Sequence, residues 1–171
     1  MKRVIVLVGL KGSGKSTIGD LLENQLQIPF IRVEPIYLQV CNKLGPTHPD
    51  LEREGFRAIL AGLTQALAKY DTISFETTGA SQHIPWLLAE LGRLAEVLLV
   101  QVQADPAQCL ERIHGRDASI HIPISDDNIE RINAVAAQVT LPWAAVINNR
   151  GKLDAAAILD TIDALLRGQA D

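Results

Sequence analysis

The chain has 171 residues, of which 47% are apolar and 21% charged, and its net charge is −4. This length is enough for one domain, residues 1–171, whose core needs neither a disulfide nor a structural metal. The acidic balance disfavours binding of long nucleic acids, and no apolar run approaches the roughly 20 residues of a membrane span, so we expect a cytoplasmic protein with no membrane partner.

Apolar runs alternate with helical stripes along the chain, which is typical of an α/β domain. Because the apolar runs are rich in Val, Ile and Leu at successive positions, they predict a parallel sheet with helices on both faces, a three-layer arrangement. The predicted strands are Arg3–Val8, Phe30–Val33, Thr72–Phe75, Glu96–Val102 and Trp143–Ile147, which makes a five-stranded sheet.

Helical patterns fill the intervals between these strands. One covers residues from about 50 to 69, after a turn-rich break at residues 45–49. Another begins at Asp105, a predicted N-cap followed by proline, and ends at His114-Gly115. The polar, proline-containing stretch of residues 115–125 then interrupts the helical pattern and is expected to be a mobile loop.

The most informative stretch is Gly9–Thr17, which follows the first predicted strand and opens the first helix. It reads G-L-K-G-S-G-K-S-T and matches the phosphate-loop pattern G-x-x-x-x-G-K-[ST]. Glycines in such a loop let backbone N–H groups turn toward phosphate oxygens, and the helix N-terminus adds partial positive charge. The residues expected to contact the nucleotide are Gly12, Ser13, Gly14, Lys15, Ser16 and Thr17.

Three side chains of this loop have distinct expected roles. Lys15 would bridge the β- and γ-phosphates of ATP, and Ser16 would present its hydroxyl to Mg²⁺. Thr17 would donate to the α-phosphate. A dinucleotide fingerprint is disfavoured because Thr17 stands where its third glycine belongs, and residues 147–152 lack the Asn-Lys-x-Asp reader of guanine-specific switches.

Three further segments extend the pattern along the chain. Pro29–Glu34 is a Pro-Phe run that leads to an acidic residue, Glu54–Arg57 contains a Phe-Arg pair, and Leu110–Arg116 carries two arginines. With the phosphate loop, these segments resemble the small P-loop kinases of the nucleoside-monophosphate-kinase fold, in particular the shikimate kinase and gluconate kinase group. The resemblance covers nearly the whole chain and implies the strand order 2-3-1-4-5, a short lid at about residues 115–125, and ATP with Mg²⁺.

The same resemblance implies roles for residues outside the loop. Arg57 would bind the acceptor's anionic group and Gly79 would lie against the acceptor. Arg112 and Arg116 would neutralise the transferring phosphoryl group from the lid. Arg32 replaces the first acidic residue of the shikimate kinase motif, which favours an acceptor other than shikimate.

Two acidic residues and one amide complete the candidate site. Glu34 and Glu76 both follow predicted strands at the carboxyl edge of the sheet, where open α/β sheets bind ligands. Either one is a candidate base for the acceptor hydroxyl; Glu34 is alternatively a ligand of acceptor hydroxyls, and Glu76 a ligand of Mg²⁺ through water. Asn149 follows the last predicted strand, and in related kinases the chain at this point runs beside the adenine ring of the nucleotide.

The sequence therefore predicts an ATP-dependent phosphotransferase that acts on a hydroxyl of a small anionic metabolite. Two alternatives stay open. One is a kinase of nucleosides or of the 5′-hydroxyl of a polynucleotide, and the other is an ATP-binding regulatory protein with no acceptor. The oligomeric state is left undetermined.

Overall fold

A computed structural model describes residues 1–115 and 125–168 of the chain. In this part of the chain, one to three helices separate successive strands, in agreement with the predicted α/β pattern. In chain order the elements are β1 (Arg3–Val8), α1 (Lys15–Leu26), α2 (Val33–Leu44), α3 (Leu51–Lys69), β2 (Thr72–Thr77), α4 (Ile84–Gly92), β3 (Glu96–Gln103), α5 (Pro106–His114), α6 (Asp126–Ala136), β4 (Ala145–Asn148) and α7 (Ala155–Leu166).

The described sheet is parallel and has the order β2-β1-β3-β4. Strand β1 lies inside it, and its side chains alternate between the two faces. Val4, Val6 and Val8 pack toward α3 and α4, whereas Ile5 and Leu7 pack toward α1 and α7. Burial on both faces explains why this strand is apolar at each of these positions.

The prediction of five strands in the order 2-3-1-4-5 is wrong in strand number. The segment predicted as a strand at Phe30–Val33 makes one isolated parallel bridge, from Phe30 to Ser74. Two backbone hydrogen bonds accompany the bridge, Ile31 N to Ser74 O at 2.7 Å and Ser74 N to Pro29 O at 2.8 Å. The pairing stops there because Val33 already begins helix α2. The segment nevertheless lies beside β2, where the predicted order placed it.

The helix boundaries follow local signals closely. Helix α3 covers almost the predicted residues, and α5 begins after Asp105, whose side chain accepts from Ala107 N at 2.9 Å and Gln108 N at 3.4 Å. Helix α5 ends at His114 with Gly115 as its C-cap, as predicted. The hydrophobic periodicity did not predict α2, whose first residue, Val33, is the last residue of the segment predicted as a strand.

This topology sets where a ligand can bind. All described strands run in the same direction, so their carboxyl ends share one edge of the sheet. The phosphate loop follows β1 at that edge. Most of the predicted lid, residues 116–124 with Arg116, lies outside the described residues. In the described part of the chain, no helix has both the length and the apolar character that a membrane crossing requires.

Candidate active site

The phosphate loop connects β1 to α1, and two of its glycines have a left-handed backbone. Gly12 has φ 83° and Gly14 has φ 91°. A methyl group on Gly12 would lie 2.3 Å from the Cys109 carbonyl oxygen, and one on Gly14 would lie 2.4 Å from Asn149 Nδ2. Both positions therefore need glycine for backbone conformation and for space.

The loop carbonyl groups of Gly9, Leu10 and Ser13 accept hydrogen bonds from side chains. Lys15 Nζ donates to Gly9 O at 3.0 Å and to Leu10 O at 2.7 Å. Asn149 Nδ2 donates to Ser13 O at 2.7 Å, and Asn149 is only 4% exposed. This pairing restrains the conformation of the loop backbone.

The N–H groups of the same loop are paired less completely. Among the described residues, none accepts a hydrogen bond from the N–H of Gly12, Gly14 or Ser16. Successive N–H groups in a loop with alternating backbone handedness form a concave anion site at the helix N-terminus. The loop geometry thus fits the phosphate chain of a nucleotide.

Lys15 supplies a buried positive charge beside this anion site. The residue is 5% exposed, and its Nζ lies 3.7 Å from Glu76 Oε2. A buried ammonium group is costly unless anions and carbonyl oxygens surround it. Here two loop carbonyls and one carboxylate do so, which places the charge where phosphate oxygens would bind.

Ser16 and Glu76 form the second polar pair of the site. Ser16 Oγ donates to Glu76 Oε1 at 2.5 Å, which links the first turn of α1 to the end of β2. The described residues contain no cluster of three or more His, Cys, Asp or Glu side chains that could hold a metal. One hydroxyl and one carboxylate nevertheless fit Mg²⁺, since kinase sites complete its shell with substrate phosphates and water.

Arg112 lies in the last turn of α5 and contacts the loop after β4. Its Nη2 donates to Asn149 O at 3.3 Å and to Gly151 O at 3.1 Å. Its Nη1 is buried and has no hydrogen-bond partner among the described residues. The guanidinium group is therefore anchored on one side and has donor capacity left on the other. Its role toward the phosphoryl group, like the contact of Asn149 with the nucleotide, stays a prediction.

On the acceptor side, Arg32 is paired with acidic residues of α1, whereas Glu34 is unpaired among the described residues. Arg32 Nη2 lies 2.6 Å from Asp20 Oδ1 and 3.3 Å from Glu23 Oε2, so its charge is neutralised on α1. Glu34 lies half-buried in the first turn of α2 and makes no hydrogen bond or ion pair with any described residue. Only Glu34 of these two therefore has its charge available for a ligand.

The two other predicted acceptor residues have clear local structural roles. Arg57 is 59% exposed on α3 and pairs with Glu54 at 3.0 Å. Gly79 has φ 77°, and a methyl group there would lie 3.1 Å from both Val8 Cγ1 and Val139 Cγ1. The close packing explains the glycine, and contact of either residue with an acceptor stays a prediction.

Sequence reasoning missed a polar cluster between α2, α3 and the residues after β2. Ser81 Oγ donates to Glu52 Oε1 at 2.6 Å, and His83 Nε2 lies 3.9 Å from Glu52 Oε2. The pKa of Tyr37 is raised above its ordinary value of 10.0 by burial, then by Glu52 and Cys41. No spacing rule could have found this cluster, because its members come from separate segments.

The comparisons with known proteins agree with this geometry. Residues 4–139 match the family described as AAA domain (AAA_33). A shikimate kinase from Synechococcus sp. (strain CC9902) is 30% identical over 143 residues, which are 81% of this chain and 69% of the relative. The chain belongs to this AAA domain family, and it is also a member of the shikimate kinase-like P-loop kinases.

Solved structures show that this P-loop kinase also shares the fold over its length. Shikimate kinase from Aquifex aeolicus has 23% identity and a TM-score of 0.59, covering 98% of each chain. A gluconokinase from Sinorhizobium meliloti 1021 has 18% identity and a TM-score of 0.63, covering 98% of this chain and 93% of the other. Several curated relatives match over only about half of their length, 48% for the shikimate kinase from Clostridium botulinum strain Alaska E43.

P-loop kinases of the shikimate kinase type use ATP and Mg²⁺. The loop, Lys15 and the Ser16–Glu76 pair are the residues of this chain that fit those two ligands.

Proposed function

We propose that this P-loop kinase transfers the γ-phosphoryl group of ATP to a hydroxyl of a small anionic metabolite. The observation that carries the proposal is the contact of Glu76 with both Ser16 and Lys15. It brings a candidate metal ligand and a cation to the loop whose N–H groups fit phosphates. Phosphoryl transfer needs this combination of positioning and charge neutralisation.

The reaction is an in-line displacement with a simple atom balance. The acceptor oxygen forms a bond to the γ-phosphorus, the bond from that phosphorus to the bridging oxygen breaks, and ADP leaves. The hydroxyl proton goes to a carboxylate, either Glu34 or Glu76. Glu34 has no ion pair among the described residues, which favours it as the group that meets the acceptor.

The cationic residues are assigned to the phosphates. Lys15 neutralises charge on the β- and γ-phosphates, and Arg112 Nη1 is the buried donor left for a ligand oxygen. Arg116 keeps its predicted role at the transferring group. When bound, Mg²⁺ supplies further charge neutralisation, and Ser16 and Glu76 are the residues that would hold it.

The acceptor class rests on a smaller set of residues. Arg57 has an exposed guanidinium group and supplies the preference for an anionic acceptor, as in the resemblance to shikimate kinases. Gly79 lies against the acceptor in the same assignment, and Glu34 would bind its hydroxyls. Use of ATP agrees with the cytoplasmic location that we predict from the sequence.

A screen for products tests the whole proposal. Purified wild-type protein is incubated with Mg²⁺, γ-¹⁸O-labelled ATP and a mixed metabolite pool, and mass spectrometry detects labelled phosphorylated products. We expect a labelled anionic metabolite from the wild type and at least about a hundredfold less from Lys15→Ala, which lacks the phosphate cation. If the label is found instead on phosphorylated nucleosides or on polynucleotide 5′-ends, the acceptor is not a small anionic metabolite, and the alternative kinase function holds. If the protein binds ATP but forms no labelled product, the proposal is wrong, and the protein is a regulatory ATP-binding protein.

A further inference from the structure

The phosphate loop has a second side-chain amide contact besides that of Asn149. Lys11 N–H donates to Asn133 Oδ1 at 2.7 Å, and Asn133 Nδ2 donates to Lys11 O at 3.2 Å. One side-chain amide therefore pairs with both backbone polar groups of a single loop residue. The two residues are 122 positions apart, and Asn133 lies within helix α6.

Packing on the same face of α6 reinforces this contact. Ala136, one turn after Asn133, is buried in a small cluster with Leu10 and Cys109. Leu10 is the loop residue before Lys11. Helix α6 thus contacts two successive loop residues, one through apolar packing and the other through hydrogen bonds.

The pairing fixes the direction of the Lys11 peptide groups. Both polar groups of Lys11 face α6, and Gly12 follows with its left-handed φ of 83°. The Ser13 N–H then turns back to Leu10 O at 3.1 Å. The N–H groups of Gly12, Gly14 and Ser16 are left without an acceptor among the described residues, as an anion site requires. A loop residue without such a partner would exchange its hydrogen bonds with water and sample other orientations.

We propose that Asn133 is a positioning residue that keeps the phosphate loop in the conformation that binds nucleotide phosphates. The inference rests on the proposed function, because it assumes that the loop binds a nucleotide. In this proposal helix α6, which follows residues 116–124, stabilises the loop conformation through its contact with Lys11.

The chemistry requires an amide at this position. Aspartate would still accept from Lys11 N–H, but its second oxygen would face the Lys11 carbonyl oxygen and would add negative charge beside the phosphates. Alanine would remove both hydrogen bonds while improving the intrinsic helix propensity of α6. The two substitutions therefore separate stability of the helix from geometry of the loop.

Nucleotide binding tests the proposal directly. We would titrate a fluorescent mant-ADP probe into wild type, Asn133→Ala, Asn133→Asp and the control Asn128→Ala. Asn128 lies on the same helix, is exposed and pairs with Arg131. Removing two hydrogen bonds that order the loop should raise the Kd about tenfold in Asn133→Ala and further in Asn133→Asp. Asn128→Ala should stay within about twofold of the wild type.

A phosphate-free ligand separates loop positioning from general damage. Adenosine, as a competitor, should bind wild type and Asn133→Ala equally, because it does not occupy the loop. Equal loss of adenosine and ADP affinity would overturn the proposal, as would unchanged ADP affinity in both Asn133 variants. If Asn133→Ala melts without cooperativity, the ADP and adenosine affinities of Asn133→Asp decide the matter by the same criteria. Failure of the wild type to bind ADP would overturn the proposed function as well.

Discussion

The Ser16 hydroxyl donates to Glu76 Oε1 at 2.5 Å, which joins the phosphate loop to the end of the neighbouring strand β2. Glu76→Gln keeps an acceptor for this hydroxyl but removes the charge that Mg²⁺ needs. We expect the Mg²⁺ concentration for half-maximal turnover to rise at least about tenfold, with a lower maximal rate. Activity measured across a Mg²⁺ titration checks this.

Glu90 provides a matched control for the Glu76 substitution. Its side chain is 29% exposed, against 27% for Glu76, and it pairs with Arg93 away from the loop. Glu90→Gln should leave the Mg²⁺ dependence unchanged. If the activity of the two variants depends on Mg²⁺ concentration in the same way, Glu76 does not bind the metal.

Gly12 and Gly45 share a positive φ but differ in the space around them. Gly45 has φ 94°, and a methyl group added there would meet nothing within 4 Å, whereas on Gly12 that group would lie 2.3 Å from a backbone oxygen. Gly45→Ala should therefore cost about 1–3 kcal/mol of unfolding free energy from backbone strain alone. Gly12→Ala should cost more and should abolish nucleotide binding. Denaturant unfolding and mant-ADP titration measure both effects; equal costs would contradict the steric argument.

Arg57 in α3 and Arg93, the residue that follows α4, form comparable surface ion pairs. Arg57 is 59% exposed and lies 3.0 Å from Glu54; Arg93 is 73% exposed and lies 2.8 Å from Glu90. Exposed pairs of this kind contribute little to stability, so both alanine variants should melt near the wild-type temperature. Once the acceptor is known, Arg57→Ala should raise its KM about tenfold or more without changing the KM for ATP. An Arg57→Ala enzyme that behaves like Arg93→Ala in steady-state kinetics would exclude Arg57 from the acceptor site.

Tyr37 should make the stability of the protein pH-dependent in alkaline solution. Burial, with Glu52 and Cys41 nearby, raises its pKa above the ordinary 10.0. Above pH 10 the unfolded chain loses the phenolic proton first, so the folded state holds more protons and its stability falls as pH rises. Tyr37→Phe should therefore lose less stability than the wild type as the pH rises above about 10. Thermal melts at several pH values measure the difference, and parallel curves would argue against a raised pKa.

Local sequence was sufficient to predict the phosphate loop, because a single stretch contains the glycines, Lys15 and Ser16. The same holds for α5, whose first turn is capped by Asp105 as the Asp-Pro signal indicates. The strand pattern also predicts Glu76 at the end of a strand, and Glu76 lies one residue before the end of β2; its role toward Mg²⁺ stays a prediction.

Contacts between distant segments were not predictable in this way. The four residues Phe30–Val33 are too few for periodicity to distinguish a strand from a helix, and Val33, which packs against the core, is the first residue of α2. Asn133 and Lys11 are 122 residues apart, and Ser81 and Glu52 are 29 apart. Separations of this length along the sequence leave no periodic pattern, so these pairs can be identified only from the three-dimensional structure.

The two edges of the sheet bear on how copies of this chain interact at high concentration. Strand β4 has only four residues, and the other edge is partly covered by the single Phe30–Ser74 bridge. Short or covered edges offer few unpaired backbone groups to a second chain. Edge-to-edge addition, the first step of fibril growth, is disfavoured on this sheet, so concentrated preparations should stay free of β-type aggregates as long as the fold is intact.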